Sequence, residues 1–122
     1  MTKVYFFDSY AVMEILKGNN NYEKYKDAKI ILTKINLFEI YHSVLNQFDE
    51  TLAEKIYEMY LPFVVGFSDD VIKQAAKFRL EHIKKKFSMT DCIGYVFSLK
   101  AEIKFLTGDK EFKDFENVEF IE

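Results

Sequence analysis

Short apolar runs alternate with stretches of helical spacing along the whole chain, and this alternation narrows the possible folds more than any other feature. Lys3–Phe7, Lys29–Thr33, Phe63–Gly66, Lys104–Thr107 and Val118–Ile121 read as five strands. Ser9–Lys17 carries Ala11, Val12, Ile15 and Leu16 at helical spacing and stops at Gly18. Tyr22–Asp27 reads as a short helix, and Asn36 is placed to cap a longer one running through Phe48. A further helix spans about Glu50 to Leu61 and is broken by Pro62, the only proline. Ser68 caps a helix to about Lys86, with Asp69 and Asp70 in its first turn, and Thr90–Ala101 is the last. Strands that alternate with helices predict a mostly parallel sheet covered on both faces, a three-layer α/β/α architecture. At 122 residues, without a linker or repeat, the chain is expected to be a single domain, 1–122.

Four acidic residues stand where an apolar run meets a turn or a helix start: Asp8, Glu39, Asp91 and Asp109. Open α/β folds place their sites at the carboxyl ends of strands. If the four converge, repulsion is severe, since one pair at about 4 Å costs roughly 4 kcal/mol at an effective dielectric near 20. Such a cluster requires protons or a cation, and hard oxygen donors favour Mg2+ or Mn2+. The pattern points to metal-dependent phosphoryl transfer.

The bulk composition excludes several other classes. A formal net charge of −3 argues against coating nucleic acid by bulk charge, although a local basic rim stays open. Cys92 is the only cysteine, which excludes an intrachain disulfide and a thiolate zinc site. The N-terminus lacks a signal-peptide pattern, and no apolar run approaches the roughly 20 residues that span a bilayer. A cytoplasmic protein with no membrane partner is expected.

The acidic motifs, taken in order, resemble those of the PIN domains, and in compactness the VapC-type toxins of prokaryotic toxin–antitoxin pairs. The motifs are Phe7-Asp8-Ser9 after the first strand, Phe38-Glu39 in the helix after the second, Ser88-Met89-Thr90-Asp91 at a helix start, and Leu106-Thr107-Gly108-Asp109-Lys110-Glu111-Phe112 at a strand end. The likeness runs from Lys3 to Phe120. One departure is Cys92-Ile93-Gly94-Tyr95-Val96-Phe97, where that family usually carries small residues; it removes no ligand. The resemblance implies a sheet of five parallel strands and metal-dependent cleavage of RNA. It points to Asp8, Asp91 and Asp109 as direct or water-mediated ligands of Mg2+ (or Mn2+). Glu39 would complete the shell or orient the attacking water, and the hydroxyls of Ser9 and Thr107 would hydrogen-bond these acids.

Each acid also has a plainer reading. Asp8 could cap the helix at Ser9, Asp109 a turn at Lys110, and Glu39 could be a solvated helix acid. His42 lies one turn from Glu39, His82 reads as surface and Cys92 as core. Lys84, Lys85 and Lys86 suit either an RNA backbone or a solvated helix end. Other folds with acids at strand ends fail on specific positions. A receiver domain needs an acidic pair after its first strand, a haloacid-dehalogenase phosphatase needs an acid at position 10, which is Tyr10, and dinucleotide-binding folds need a glycine-rich turn.

The expected function is a Mg2+- or Mn2+-dependent endoribonuclease acting as the toxin of a toxin–antitoxin pair; the alternative is a non-catalytic PIN-fold scaffold that binds RNA or protein. Phe38, Tyr41, Leu45, Phe48, Leu52, Ile56, Tyr57 and Tyr60 cannot all point inward at helical spacing. In the family resembled, such surface serves a homodimer and an antitoxin, so both partners are expected, the antitoxin beside Glu39.

Overall fold

The computed structural model describes residues 3–122. Strands β1 (Val4–Phe7), β2 (Lys29–Ile31), β3 (Lys104–Thr107) and β4 (Val118–Phe120) form one sheet in the order β2-β1-β3-β4, every pairing parallel. The helices are α1 (Ser9–Leu16), α2 (Lys34–Gln47), α3 (Glu50–Tyr60), α4 (Asp69–Glu81) and α5 (Met89–Ala101).

Alternation along the central strands assigns the layers. Tyr5, Phe7 and Leu106 face a core closed by Ala11 and Val12 of α1, Leu37, Ile40 and Val44 of α2, and Ala53, Ile56 and Tyr60 of α3. Phe6 and Phe105 face the opposite core with Val71 and Ala75 of α4, Cys92, Ile93, Tyr95 and Val96 of α5, and Phe112. Both strand faces are therefore apolar, as a sheet buried on two sides requires. Helix α5 lies close enough to the sheet that a Cβ on Gly94 would sit 2.7 Å from the Phe6 ring.

The expected fifth strand at Phe63–Gly66 does not form. Leu61–Phe63 is a 3-10 turn with Pro62 near its start, and only one bridge, Leu32 to Val64, joins this segment to the sheet edge. The cause lies in its neighbour. β2 ends at Ile31 because Thr33 already adopts the extended N-cap conformation of α2, so one rung is available: Val65 N–H to Leu32 O at 2.9 Å and Leu32 N–H to Phe63 O at 3.3 Å. Other boundaries shift for local reasons. Thr33, not Asn36, caps α2, and Asn36 occupies the third helical position of a capping box. The helix expected at Tyr22–Asp27 is a 3-10 helix, Asn20–Tyr25, which stops before Lys26 and Asp27. Helix α4 stops at Glu81, so Lys84–Lys86, three like charges in a row, lie beyond it.

Candidate active site

β1 and β3 are parallel neighbours in register, Phe7 opposite Leu106, so the residues that follow them emerge side by side. Asp8 leaves β1, its N–H bonded to Leu106 O at 3.2 Å. Its carboxylate caps α1 by accepting from Ala11 N–H at 2.7 Å. It is only 2% exposed. Asp109 leaves β3 and caps the 3-10 turn Lys110–Phe112, accepting from Glu111 N–H at 2.9 Å. Fully buried Phe112 anchors that turn in the core. Thr107, also fully buried, accepts the Asp109 N–H at 3.0 Å, and its side chain lowers the Asp8 carboxyl against the effect of burial.

Asp91 arrives on the first turn of α5, where it completes a capping box. Its Oδ2 accepts from Ser88 N–H at 2.9 Å while Ser88 Oγ accepts from Asp91 N–H at 3.0 Å. Glu39 projects from α2, and its Oε1 accepts from Ser9 Oγ at 2.7 Å.

These pieces line one cleft of about 550 Å3: Asp8, Ser9, Tyr10, Met13, Glu14, Lys17, Phe38, Glu39, His42, Ser43, Ser88, Asp91 and Asp109. All four sequence-predicted acids and Ser9 are brought together there, and Thr107 stands behind them. Lys84, Lys85 and Lys86 are not among its walls; Lys85 pairs instead with Glu111 at 3.3 Å. His42 is exposed, lines the cleft and stacks on Phe38, ring planes 8° apart. His82 is not free surface, for its ring packs against Phe78 and Phe115 with Nδ1 3.0 Å from Phe78 O. Cys92 is buried, as expected.

Sequence reasoning missed Asn36 as a site residue, along with Ser88, Tyr10 and Lys17. Ser88 was legible as the first member of a capping box, Ser-x-x-Asp. The polar contact of Asn36 with Ser9 spans 27 positions, and no local pattern encodes it.

The electrostatics are those of a desolvated acidic cluster. Burial raises the Asp8 carboxyl to about 8, against the lowering effect of Thr107 and the Ala11 N–H, with Asp91 and Asp109 adding repulsion. Burial likewise raises Asp91 to about 6, opposed by Ser88 and reinforced by Glu39 and Asp109. No Lys, Arg or His pairs with any of the four acids among the described residues.

Among the described residues no three His, Cys, Asp or Glu side chains form a ready-made metal cage. The donor set nevertheless fits a hard divalent cation that keeps part of its water: oxygen donors only, two of them desolvated, none neutralised by a protein cation. Asp8, Asp91 and Asp109 are the carboxylates that would hold it.

The PIN domain family model matches residues 5–118, and the chain belongs to the PIN domain family. No curated protein matches its sequence. Among solved structures it is similar to VapC20 of Mycobacterium tuberculosis, described as a toxin that cleaves the sarcin–ricin loop, at 15% identity and TM-score 0.79, covering 97% of this chain and 99% of that one. VapBC2 of Rickettsia felis, crystallised with a fragment of promoter DNA, aligns at 19% identity and TM-score 0.71, covering 98% and 99%. A toxin–antitoxin complex from Klebsiella pneumoniae aligns at 16% and 0.73, covering 94% and 95%. At these identities the likeness establishes the fold. No helix among the described residues is long and apolar enough to cross a membrane.

Proposed function

We propose that the chain is a Mg2+- or Mn2+-dependent endoribonuclease and that it acts as the toxin of a toxin–antitoxin pair. One observation carries the reading: Asp8, buried, and Asp91, half-buried, line one cleft with Asp109 and Glu39, and none of the four has a counter-charge among the described residues. A structural role would not require two desolvated carboxylates facing a cleft.

When bound, the cation neutralises charge on the scissile phosphate and acidifies water. The chain's own groups do the rest. Asp8, Asp91 and Asp109 would hold the cation as ionised ligands, Asp8 kept in place by the Ala11 N–H. Glu39, one oxygen fixed by Ser9, turns the other toward the attacking water and accepts its proton. Lys17, exposed at the rim, meets the RNA backbone.

A largely apolar groove of about 670 Å3 adjoins the cleft, walled by Phe38, Tyr41, Leu45, Tyr57 and Leu61, with Phe38 and His42 shared between the two. Phe38 is 71% exposed there. This groove supports an antitoxin segment as occupant, seated beside Glu39 as an amphipathic helix or extended peptide. Of the eight side chains that cannot all point inward, Ile56 and Tyr60 enter the core, while Phe38, Leu45 and Phe48 are exposed.

The test is cleavage of an RNA oligonucleotide with Mn2+, with and without excess EDTA, in the wild type and in Asp8→Asn and Asp91→Asn. Cleavage lost in EDTA and in both variants is expected. Cleavage that persists in EDTA overturns the metal-dependent reading, while Mn2+ binding by calorimetry with no cleavage of any RNA leaves a scaffold.

A further inference from the structure

We infer that Asn36 is a positioning residue for Glu39, acting through Ser9 along a hydrogen-bond relay of fixed direction. The inference rests on the nuclease reading for its consequence, though not for its geometry.

The direction follows from which atoms can donate. Thr33 N–H can only donate, and it meets Asn36 Oδ1 at 3.0 Å, so the amide oxygen must face Thr33. Thr33 Oγ1 donates to the same oxygen at 2.7 Å and accepts the Asn36 N–H at 3.3 Å. With its oxygen committed, Asn36 turns Nδ2 to Ser9 Oγ at 3.1 Å. A serine hydroxyl carries one proton. Accepting from Asn36, Ser9 is left to donate to Glu39 Oε1 at 2.7 Å.

Burial fixes the Thr33–Asn36 end of the relay, and Ser9 and Glu39 at its other end are half-buried. Thr33 and Asn36 are 0% and 1% exposed, so each polar atom there must keep its partner. Asn36 and Glu39 are three residues apart on α2 and share a face, yet the link between them runs through α1. The relay thus ties the start of α2 to the first residue after Asp8 and fixes one oxygen of Glu39, a side chain that lines the cleft.

Asn36→Asp separates positioning from folding. An aspartate retains the oxygen that completes the capping box but has no amide proton for Ser9. The expected result is a drop in kcat of about tenfold to a hundredfold, the usual cost of losing a supporting partner, with KM for an RNA oligonucleotide unchanged. Ser9→Ala should do the same, and the double variant should be no worse than the poorer single one, because both cut one relay. Losses that multiply, or an Asn36→Asp enzyme with wild-type kcat, would overturn the inference.

A second measurement needs no catalysis. In the metal-free protein, the 1H–15N resonances of the Asn36 side-chain amide should be slow to exchange, and should move in Ser9→Ala and in Glu39→Gln. An Asn36 amide indifferent to Ser9→Ala overturns the relay. A relay seen by NMR in a protein that cuts no RNA would overturn the nuclease reading alone.

Discussion

Thr107 accepts the backbone N–H of Asp109 at 3.0 Å, and the same side chain holds the Asp8 carboxyl down against burial. One side chain thus serves both strand ends, and the ionised form of a carboxylate that burial would neutralise is favoured by it. Replacing Thr107 by Val conserves shape and removes the hydroxyl. Mn2+ affinity should fall about tenfold or more, as read by calorimetry.

Asp8→Asn should abolish cleavage while the metal-free protein melts higher, by about 4 °C for each kcal/mol of relieved desolvation and repulsion. Asparagine can still accept from Ala11 N–H, so α1 keeps its cap. A lower melting temperature, measured by calorimetry, would contradict this account of Asp8.

The sign of the pH effect follows from the raised carboxyl. Folded Asp8 titrates at about 8 against an ordinary 3.8, so between these values the folded chain holds a proton that the unfolded chain has lost. Its contribution to the stability of the metal-free protein is present below pH 4 and lost as pH rises through 8. The wild type should therefore lose stability relative to Asp8→Asn over that window in denaturant titrations.

Metal binding should run in the opposite direction. The ligands must be ionised, so Mn2+ should displace the Asp8 proton, and affinity should rise about tenfold per pH unit between 6 and 8. Calorimetry at pH 7 in two buffers of different ionisation enthalpy should register close to one proton released. Affinity that is flat across this range would exclude Asp8 as a ligand.

A homodimer is expected at micromolar concentration by light scattering. Besides the groove beside Glu39, α4, the turn that follows it and α5 expose Ile72, Leu80, Ile83 and Met89 around a second apolar hollow of about 420 Å3. Leu80→Glu combined with Ile83→Glu should yield a monomer at nearly unchanged stability, as surface changes do. A dimer that survives both places the contact on α2 and α3 instead.

The acids were legible because each obeys a local rule as well as a functional one. Asp8 and Asp109 follow apolar strands, Asp91 follows Ser88 at capping spacing, and the helical spacing of α2 carried Glu39 with it. What stayed hidden depended on contacts remote in sequence. Phe63–Gly66 looks like a strand in isolation and fails for want of a partner, since β2 has already turned into the α2 cap. Asn36 reads as a cap; its role comes from Ser9, on another helix.

The carboxylates that gather in the cleft also begin the helices that frame it, with Asp8 at α1, Asp91 in the capping box of α5 and Asp109 at the turn beneath Phe112. Mutational drift at these positions is consequently steered. Alanine would unfasten a helix start as well as the chemistry, whereas asparagine at the Asp8 and Asp109 caps would silence the chemistry and spare the architecture. A lineage released from selection for cutting should first collect amides at those two positions, leaving a quiescent descendant with the same shape.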